Sequence, residues 1–243
     1  MHELSYRVCP EIFAAFPGYV RGVLVFDQLD NRRPAPEITR LLREAEQGVR
    51  EAITGSVADW PVVAAWRQAY RDFGAKPSEH RSSIEALLRR VLKPDALPSI
   101  NPLVDIGSLV SIRHGLPAGV HPLANDEPVG HRSLELRQAR SGDAFVESEG
   151  ALAQHVPPGE VVLADGARVL TRRWTWRQSA GTRTQTTTQR VFFDIDGLPP
   201  VTPSQVGDAM RQVEILVREH CGGRLRASAV LTREAPALRT AFD

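Results

Sequence analysis

Two groups of residues in this sequence have types and spacing that could do chemistry. The first lies in Ser99–Pro122, which reads SINPLVDIGSLVSIRHGLPAGVHP. Asn101, Asp105 and Ser108 recur at steps of three and four, so a helix would gather them on one face, and His114 and His121 follow at its exit. Gly107, Ser108 and Ser111 also make this segment poor in bulk, which lets another group approach its backbone closely. A carboxylate at Asp105 would equally complement the positive end of the helix, so a purely structural role stays open for it. The second group spans Arg168–Arg190. Arg168, Arg172, Arg173, Arg177, Arg183 and Arg190 are interleaved with Trp174 and Trp176 and accompanied by threonines that include Thr184 and Thr188. Guanidinium groups bind phosphates bidentately and indole rings stack on bases or on amino-acid side chains, so this combination suits a nucleotide-bearing ligand. The tryptophans have a second possible place, in the core, with the arginines solvated.

Several chemistries are absent from the pattern. There is no Gly-x-Ser-x-Gly elbow, no phosphate-cradling glycine loop and no His-Glu-x-x-His. The seven histidines are scattered, and His114 and His121 lie seven apart across a glycine-proline turn, so no metal and no cofactor is expected. Cys9 and Cys221 form no Cys-x-x-Cys pair and read as two reduced thiols.

The elements that must position these residues follow from periodicity. Asn101 with Pro102 opens one short helix that Gly115 and Pro117 close. Upstream, Tyr19–Phe26 reads as a buried strand, and Glu37–Ile53 as an amphipathic helix. A helix after Asp59 carries Val63, Trp66, Tyr70 and Phe73, and a capping box at Ser82–Glu85 starts another that halts at Pro94. These four are expected to be scaffold. Downstream the character changes to strands: Ser133–Arg137, Asp143–Val146, Glu160–Leu163, then a turn at Ala164-Asp165-Gly166. Ala167–Arg177 is expected as one strand with Leu170, Arg172, Trp174 and Trp176 on a shared face. Arg190–Ile195 is a further strand, a capped helix runs from Thr202 to Gly222-Gly223, and Leu225–Leu231 adds a last strand. The expected class is α+β, helices packed on a mostly antiparallel sheet. With 243 residues, 42% hydrophobic and 24% charged, and no linker or repeat, residues 1–243 are expected to form one domain. No apolar run could span a bilayer and the start lacks a signal-peptide pattern, so a cytoplasmic protein without a membrane partner is expected. A net charge of +1 means that any RNA contact must come from a local basic patch.

The chain from about Phe73 to Gly197 resembles the editing module of the phenylalanyl-tRNA synthetase beta subunit, the B3/B4 domain, and more closely its free-standing relatives. The resemblance rests on Glu85-Ala86-Leu87-Leu88-Arg89-Arg90, on Leu97-Pro98-Ser99-Ile100-Asn101-Pro102-Leu103-Val104-Asp105, on Gly115-Leu116-Pro117, and on Arg172–Arg177 with Thr184, Thr188 and Phe193. It implies a B3/B4-like core over about 73–200, with an N-terminal strand and helix and a C-terminal helix as extensions. It implies hydrolysis of the ester of wrongly charged tRNA, carried out in trans, with the aminoacylated 3′ end of tRNA as partner and no DNA.

By the same resemblance the pocket is lined by Asn101, Asp105, Ser108, the Gly115–His121 turn, the Trp174–Arg177 strand, Thr184–Thr188 and Asp194. Asp194 or Asp105 would hold the α-ammonium group, and His114, His121 or hydroxyls such as that of Thr188 would orient water. Trp174, Trp176 and Thr184 would contact the aminoacyl group, and Arg172, Arg177 and Arg183 the RNA. Family modules carry a histidine where this chain has Gly119, and a glutamate where it has Asp194, so their tyrosine specificity does not transfer. A module that binds aminoacyl-tRNA or a free amino acid without cleaving it is the alternative, with a tRNA-independent small-molecule hydrolase as a third reading.

Overall fold

The computed structural model describes residues 2–123 and 131–242. In chain order the strands are β1 (His2–Val8), β2 (Val20–Asp27), β3 (Ala118–Pro122), β4 (His131–Gln138), β5 (Ala144–Phe145), β6 (Gln154–His155), β7 (Val161–Asp165), β8 (Arg168–Arg172), β9 (Arg177–Gln178), β10 (Val191–Gly197), β11 (Arg224–Leu231) and β12 (Ala237–Phe242). The helices are α1 (Pro10–Ala15), α2 (Pro36–Ala52), α3 (Pro61–Asp72), α4 (Ser83–Val91), α5 (Pro102–His114) and α6 (Pro203–Cys221). The larger sheet has the order β12-β1-β4-β7-β8-β5-β6, with β9 on β8, and the smaller has the order β11-β2-β10-β3. Only β1 with β4 and β5 with β8 pair in parallel among the described strands, so the α+β class with mostly antiparallel sheet holds.

The helices form where apolar residues follow a start signal, which is a side-chain cap at α4, α5 and α6 and proline in the first turn at all but α4. Five of these six helices start with proline at the first turn, where its missing N–H costs nothing. Ser82 caps α4 by accepting the Glu85 N–H, but the Glu85 side chain turns to Arg67 and Arg89, so the expected reciprocal box is half made. At α6 the box is complete between Thr202 and Gln205. Helix α5 lies among α2, α4 and α6 and packs on β3, while α6 covers β2, β10 and β11. One apolar cluster joins both sheets with these helices, and Tyr6 of β1 meets Phe192 of β10 edge-on at 5.5 Å across it. Among the described residues no helix is long and apolar enough to cross a membrane.

One expected element is corrected. The strand over Ala167–Arg177 ends at Arg172, because Arg173 and Trp174 adopt left-handed backbone with φ of 45° and 63°. Each such residue is strained by about 1–2 kcal/mol, and the turn is held against that strain. Arg172 donates twice to Glu160, at 2.9 and 2.8 Å, and the Arg173 N–H donates to the same carboxylate at 3.0 Å. Trp174 and Trp176 therefore do not share a strand face. Trp174 is buried among Phe16, Tyr19 and Trp66 with ring centroids 4.8–5.1 Å away, and Trp176 is half-exposed.

Candidate functional site

The site is built on β10, where Asp194 and Asp196 sit two residues apart and therefore point to the same face. Register places Arg21 of β2 opposite Asp196. Its guanidinium donates to Asp194 Oδ2 at 2.5 Å and to Asp196 Oδ1 at 2.7 Å. Arg21 is 2% exposed and the two carboxylates 4% and 2%, so a cation and two anions are nearly withdrawn from water. The Tyr19 hydroxyl donates to Asp196, and accepts from Arg21 at 3.2 Å and from the Trp174 indole at 3.4 Å. Burial alone would raise both carboxyls, but Arg21 and then His121 outweigh it at Asp194 and hold that group well below the usual carboxylate range. At Asp196 burial prevails over Arg21, with the charge of Asp194 adding to it, and the group is pushed up to about 6.

On the other side β3 pairs antiparallel with β10, setting Gly119 opposite Asp194 and His121 opposite Phe192. The His121 ring stacks on Phe192 at 4.7 Å and 11°, and its Nε2 faces Asp194 Oδ2 at 3.4 Å. Gln178 Nε2 lies 3.0 Å from His121 Nδ1 and also donates to the carbonyls of Val120 and Thr182. Two carbonyl acceptors fix that atom as the amide nitrogen, and the Nε2 edge of His121 faces the Asp194 carboxylate. A Cβ at Gly119 would come within 2.5 Å of Asp194 Oδ1 and 3.2 Å of His121 Nε2, so only glycine leaves the carboxylate and imidazole uncovered here.

These groups line a cavity of about 210 Å³, together with Thr171, Thr175, Trp176 and Arg177. The Thr171 hydroxyl is buried without a hydrogen-bond partner among the described residues. It shares that condition with several other buried polar atoms, and a water or a polar guest can satisfy it. The cavity thus brings a carboxylate, an imidazole and a hydroxyl to its lining, with Arg177, paired to Glu147, at its rim. Among the described residues no three His, Cys, Asp or Glu side chains converge as metal ligands.

Of the residues expected from the sequence, the structure brings Asp194, His121, Trp174, Trp176 and Arg177 together here. It separates the others. Asn101 caps α5 through the Val104 N–H at 3.1 Å and donates to the Thr184 carbonyl, while Asp105 accepts from Ser99 and from the Ile100 N–H at 3.0 Å. Both secure the start of α5 and line a separate depression with Asn31 and Thr186. Ser108 lies half-buried on α5 outside the cavity, and Thr188 accepts the Gln185 N–H in a turn. The Thr184 side chain is buried away from the cavity. His114 contacts Gln212 of α6 at 2.9 Å, so it leaves the site altogether. Arg172 is spent on Glu160, and Arg183 donates to the Glu147 carbonyl on the surface. The small residues of α5 serve packing: Gly107 faces the Phe193 ring, and the Ser111 hydroxyl donates to the Leu116 carbonyl. Sequence reasoning missed Arg21, Asp196, Tyr19 and Gln178; a lone arginine inside the apolar run YVRGVLVF was the available signal.

Comparison with known proteins adds three findings. No curated protein matches the chain. A solved N-terminal fragment of the phenylalanyl-tRNA synthetase beta subunit from Pyrococcus horikoshii is similar at 12% identity with a TM-score of 0.48, over 94% of this chain and 54% of that one, so the chain spans about half of its length. The family model of the B3/4 domain matches residues 65–222, which takes in α4, α5, the strained turn, β10 and all of α6, and on that match the chain belongs to the B3/4 domain family.

Proposed function

We propose that this protein is a tRNA-binding hydrolase that removes the amino acid from mischarged aminoacyl-tRNA. The observation that carries the reading is the uncovered carboxylate of Asp194 at the end of a cavity large enough for one aminoacyl group. An α-ammonium group entering it meets a cluster whose two carboxylates and one guanidinium sum to a negative charge when both acids are ionised. An aminoacyl ester is already activated, so hydrolysis needs a held ammonium, a positioned water and donors for the developing oxyanion rather than a covalent nucleophile. Asp194 holds the ammonium, and the unpartnered Thr171 hydroxyl positions the water. Water adds to the ester carbonyl, the bond to the ribose oxygen breaks, and the free amino acid and the ribose hydroxyl separate. The family match supports a module of this kind.

One observation favours a second reading, in which the protein binds aminoacyl-tRNA without cleaving it. Both ring nitrogens of His121 already face a neighbour, Nδ1 the Gln178 amide at 3.0 Å and Nε2 the Asp194 carboxylate at 3.4 Å, so the ring is engaged by the protein itself. A panel of correctly and incorrectly charged tRNAs separates the two: loss of specific esters supports hydrolysis, and retention of all esters with measurable binding supports the second reading. Gly119→Ala is the companion variant, because its methyl group enters the cavity without altering a charge. It is expected to reduce the rate or affinity at least tenfold, and wild-type behaviour of this variant would refute the cavity as the site.

A further inference from the structure

The cavity opens beside a second and larger feature that neither the sequence nor the site chemistry has used. A groove of about 820 Å³ runs between α4, the Val57–Asp59 turn and the strained Arg173–Arg177 turn, and it shares Trp176 and Arg177 with the cavity. Arg81, Arg89, Arg90, Lys93 and Arg177 line it with one acid, Glu79, and Arg177 pairs with Glu147 beside it. Its charge is neutralised only in part. Glu85, fully buried at the base of α4, takes Arg67 at 2.8 Å, Arg89 at 3.0 Å and Arg81 at 3.9 Å, so one carboxylate meets three guanidiniums. Arg90 and Lys93 are exposed and form no ion pair among the described residues, and Glu79 already faces Lys76 at 3.2 Å. In a chain whose net charge is +1, this is a concentrated local excess.

At the junction of groove and cavity stands a stacked layer. The guanidiniums of Arg173 and Arg177 each lie 4.6 Å from the Trp176 ring centre, and His80 meets the ring edge at 4.7 Å. Nucleobases stack on aromatic rings and on guanidinium planes alike, whereas an acidic protein segment gains nothing from such a layer. A small cavity, a layer of Trp176 and guanidinium groups and a row of cations therefore follow one another along one surface.

We propose that this groove is the track for single-stranded RNA, with Arg89, Arg90 and Lys93 on successive phosphates, a base against the Trp176 layer, and the strand's 3′ terminus directed to the cavity. The direction of the strand rests on the aminoacyl-ester reading of the cavity; the binding itself does not.

The test is fluorescence anisotropy with a labelled single-stranded RNA of 12 nucleotides and a free 3′ hydroxyl, titrated at several salt concentrations. Arg90→Gln with Lys93→Gln is expected to weaken binding at least tenfold and to flatten the salt dependence by about 0.7 in slope for each lost phosphate contact. Arg211→Gln with Arg218→Gln, which removes two exposed charges from α6, is expected to change affinity less than twofold. Unchanged binding by the groove variant, equal weakening by the α6 variant, or equally tight binding of polyglutamate in place of RNA would each overturn the proposal, the last in favour of an acidic protein. Asp194→Asn separates this from the function proposed above, since it should keep RNA affinity while losing ester hydrolysis. If wild-type protein cleaves no ester and the groove variant still loses RNA, the groove stands and the hydrolase reading falls. If wild-type protein cleaves esters and the groove variant binds RNA normally, only the groove falls.

Discussion

Asp194 and Asp196 share one guanidinium, and their environments push them apart: Arg21 and His121 keep the first ionised, while burial brings the second to about 6. Below that pH the cluster of Arg21, Asp194 and protonated Asp196 is neutral; above it the cluster carries one negative charge. An uncleavable cation such as an amino-acid amide should therefore bind more tightly as pH rises from 5 to 7, and Asp196→Asn should flatten that rise; an unchanged pH profile in the variant would place the titration elsewhere. The stability terms have opposite signs. A raised carboxyl contributes stability that is present at low pH and lost as pH rises through the window from about 4 to about 6, whereas the lowered Asp194 contributes stability above the usual carboxylate range that is lost as pH falls through it. Arg21 itself matters more than either. Arg21→Ala leaves two buried carboxylates without a counterion and should destabilise the protein by about 3–5 kcal/mol in urea unfolding, whereas a cost near that of an ordinary surface change would show that water already compensates the pair. None of this can be read along the chain alone, because Arg21 and Asp196 lie 175 residues apart and meet only through the β2–β10 register.

At the scale of the element, α5 shows how a correct helix can carry a misread site. Its boundaries follow from Asn101, Pro102 and Gly115, the last at φ 68°, and each of these is a local signal. The polar residues of its first turn are local too: Asn101 caps the helix and Asp105 accepts from Ser99 and Ile100, outside the Asp194 cavity. Asn101→Ala should cost about 1 kcal/mol in stability and leave ligand affinity in the cavity unchanged; a loss of affinity at preserved stability would return Asn101 to the site. The strand–turn–strand from Arg168 to Gln178 was legible only in part. Alternation extends it through Arg177, but the Glu160 carboxylate, just before the paired strand β7, holds the turn in which two residues adopt left-handed backbone that their types disfavour. Helices whose caps and apolar spacing agree were readable for this reason, as were β2, β7, β10 and β11. The strands β1, β3, β6 and β12 were not, since their pairing partners, rather than their composition, define them.

For the whole molecule, the open question is whether the two sheets unfold together, and the two thiols report on it separately. Cys9 precedes α1, and its N–H donates to Leu136 of β4, in the larger sheet; Cys221 ends α6, which covers the smaller one, and its carbonyl accepts from the Asp30 N–H. Both are buried. Burial raises the Cys9 thiol, and at Cys221 burial, with Asp30 adding, pushes it up to about 12, so neither offers thiolate to a reagent while folded. The contacts joining the sheets are core contacts: Tyr6 against Phe192, and Trp174 against Tyr19 on one side and Trp66 on the other. Separating the sheets would expose these rings and take Trp174 away from the Tyr19 hydroxyl and the Arg21 cluster of the smaller sheet, so partial unfolding should be unfavourable. In Cys9→Ser and Cys221→Ser variants, the remaining thiol should become reactive at the same urea concentration in both, coincident with the tryptophan fluorescence change. Unmasking of one thiol well before the other would show two cooperative units, and would place the boundary between α6 with its sheet and the β1–β4 edge of the other.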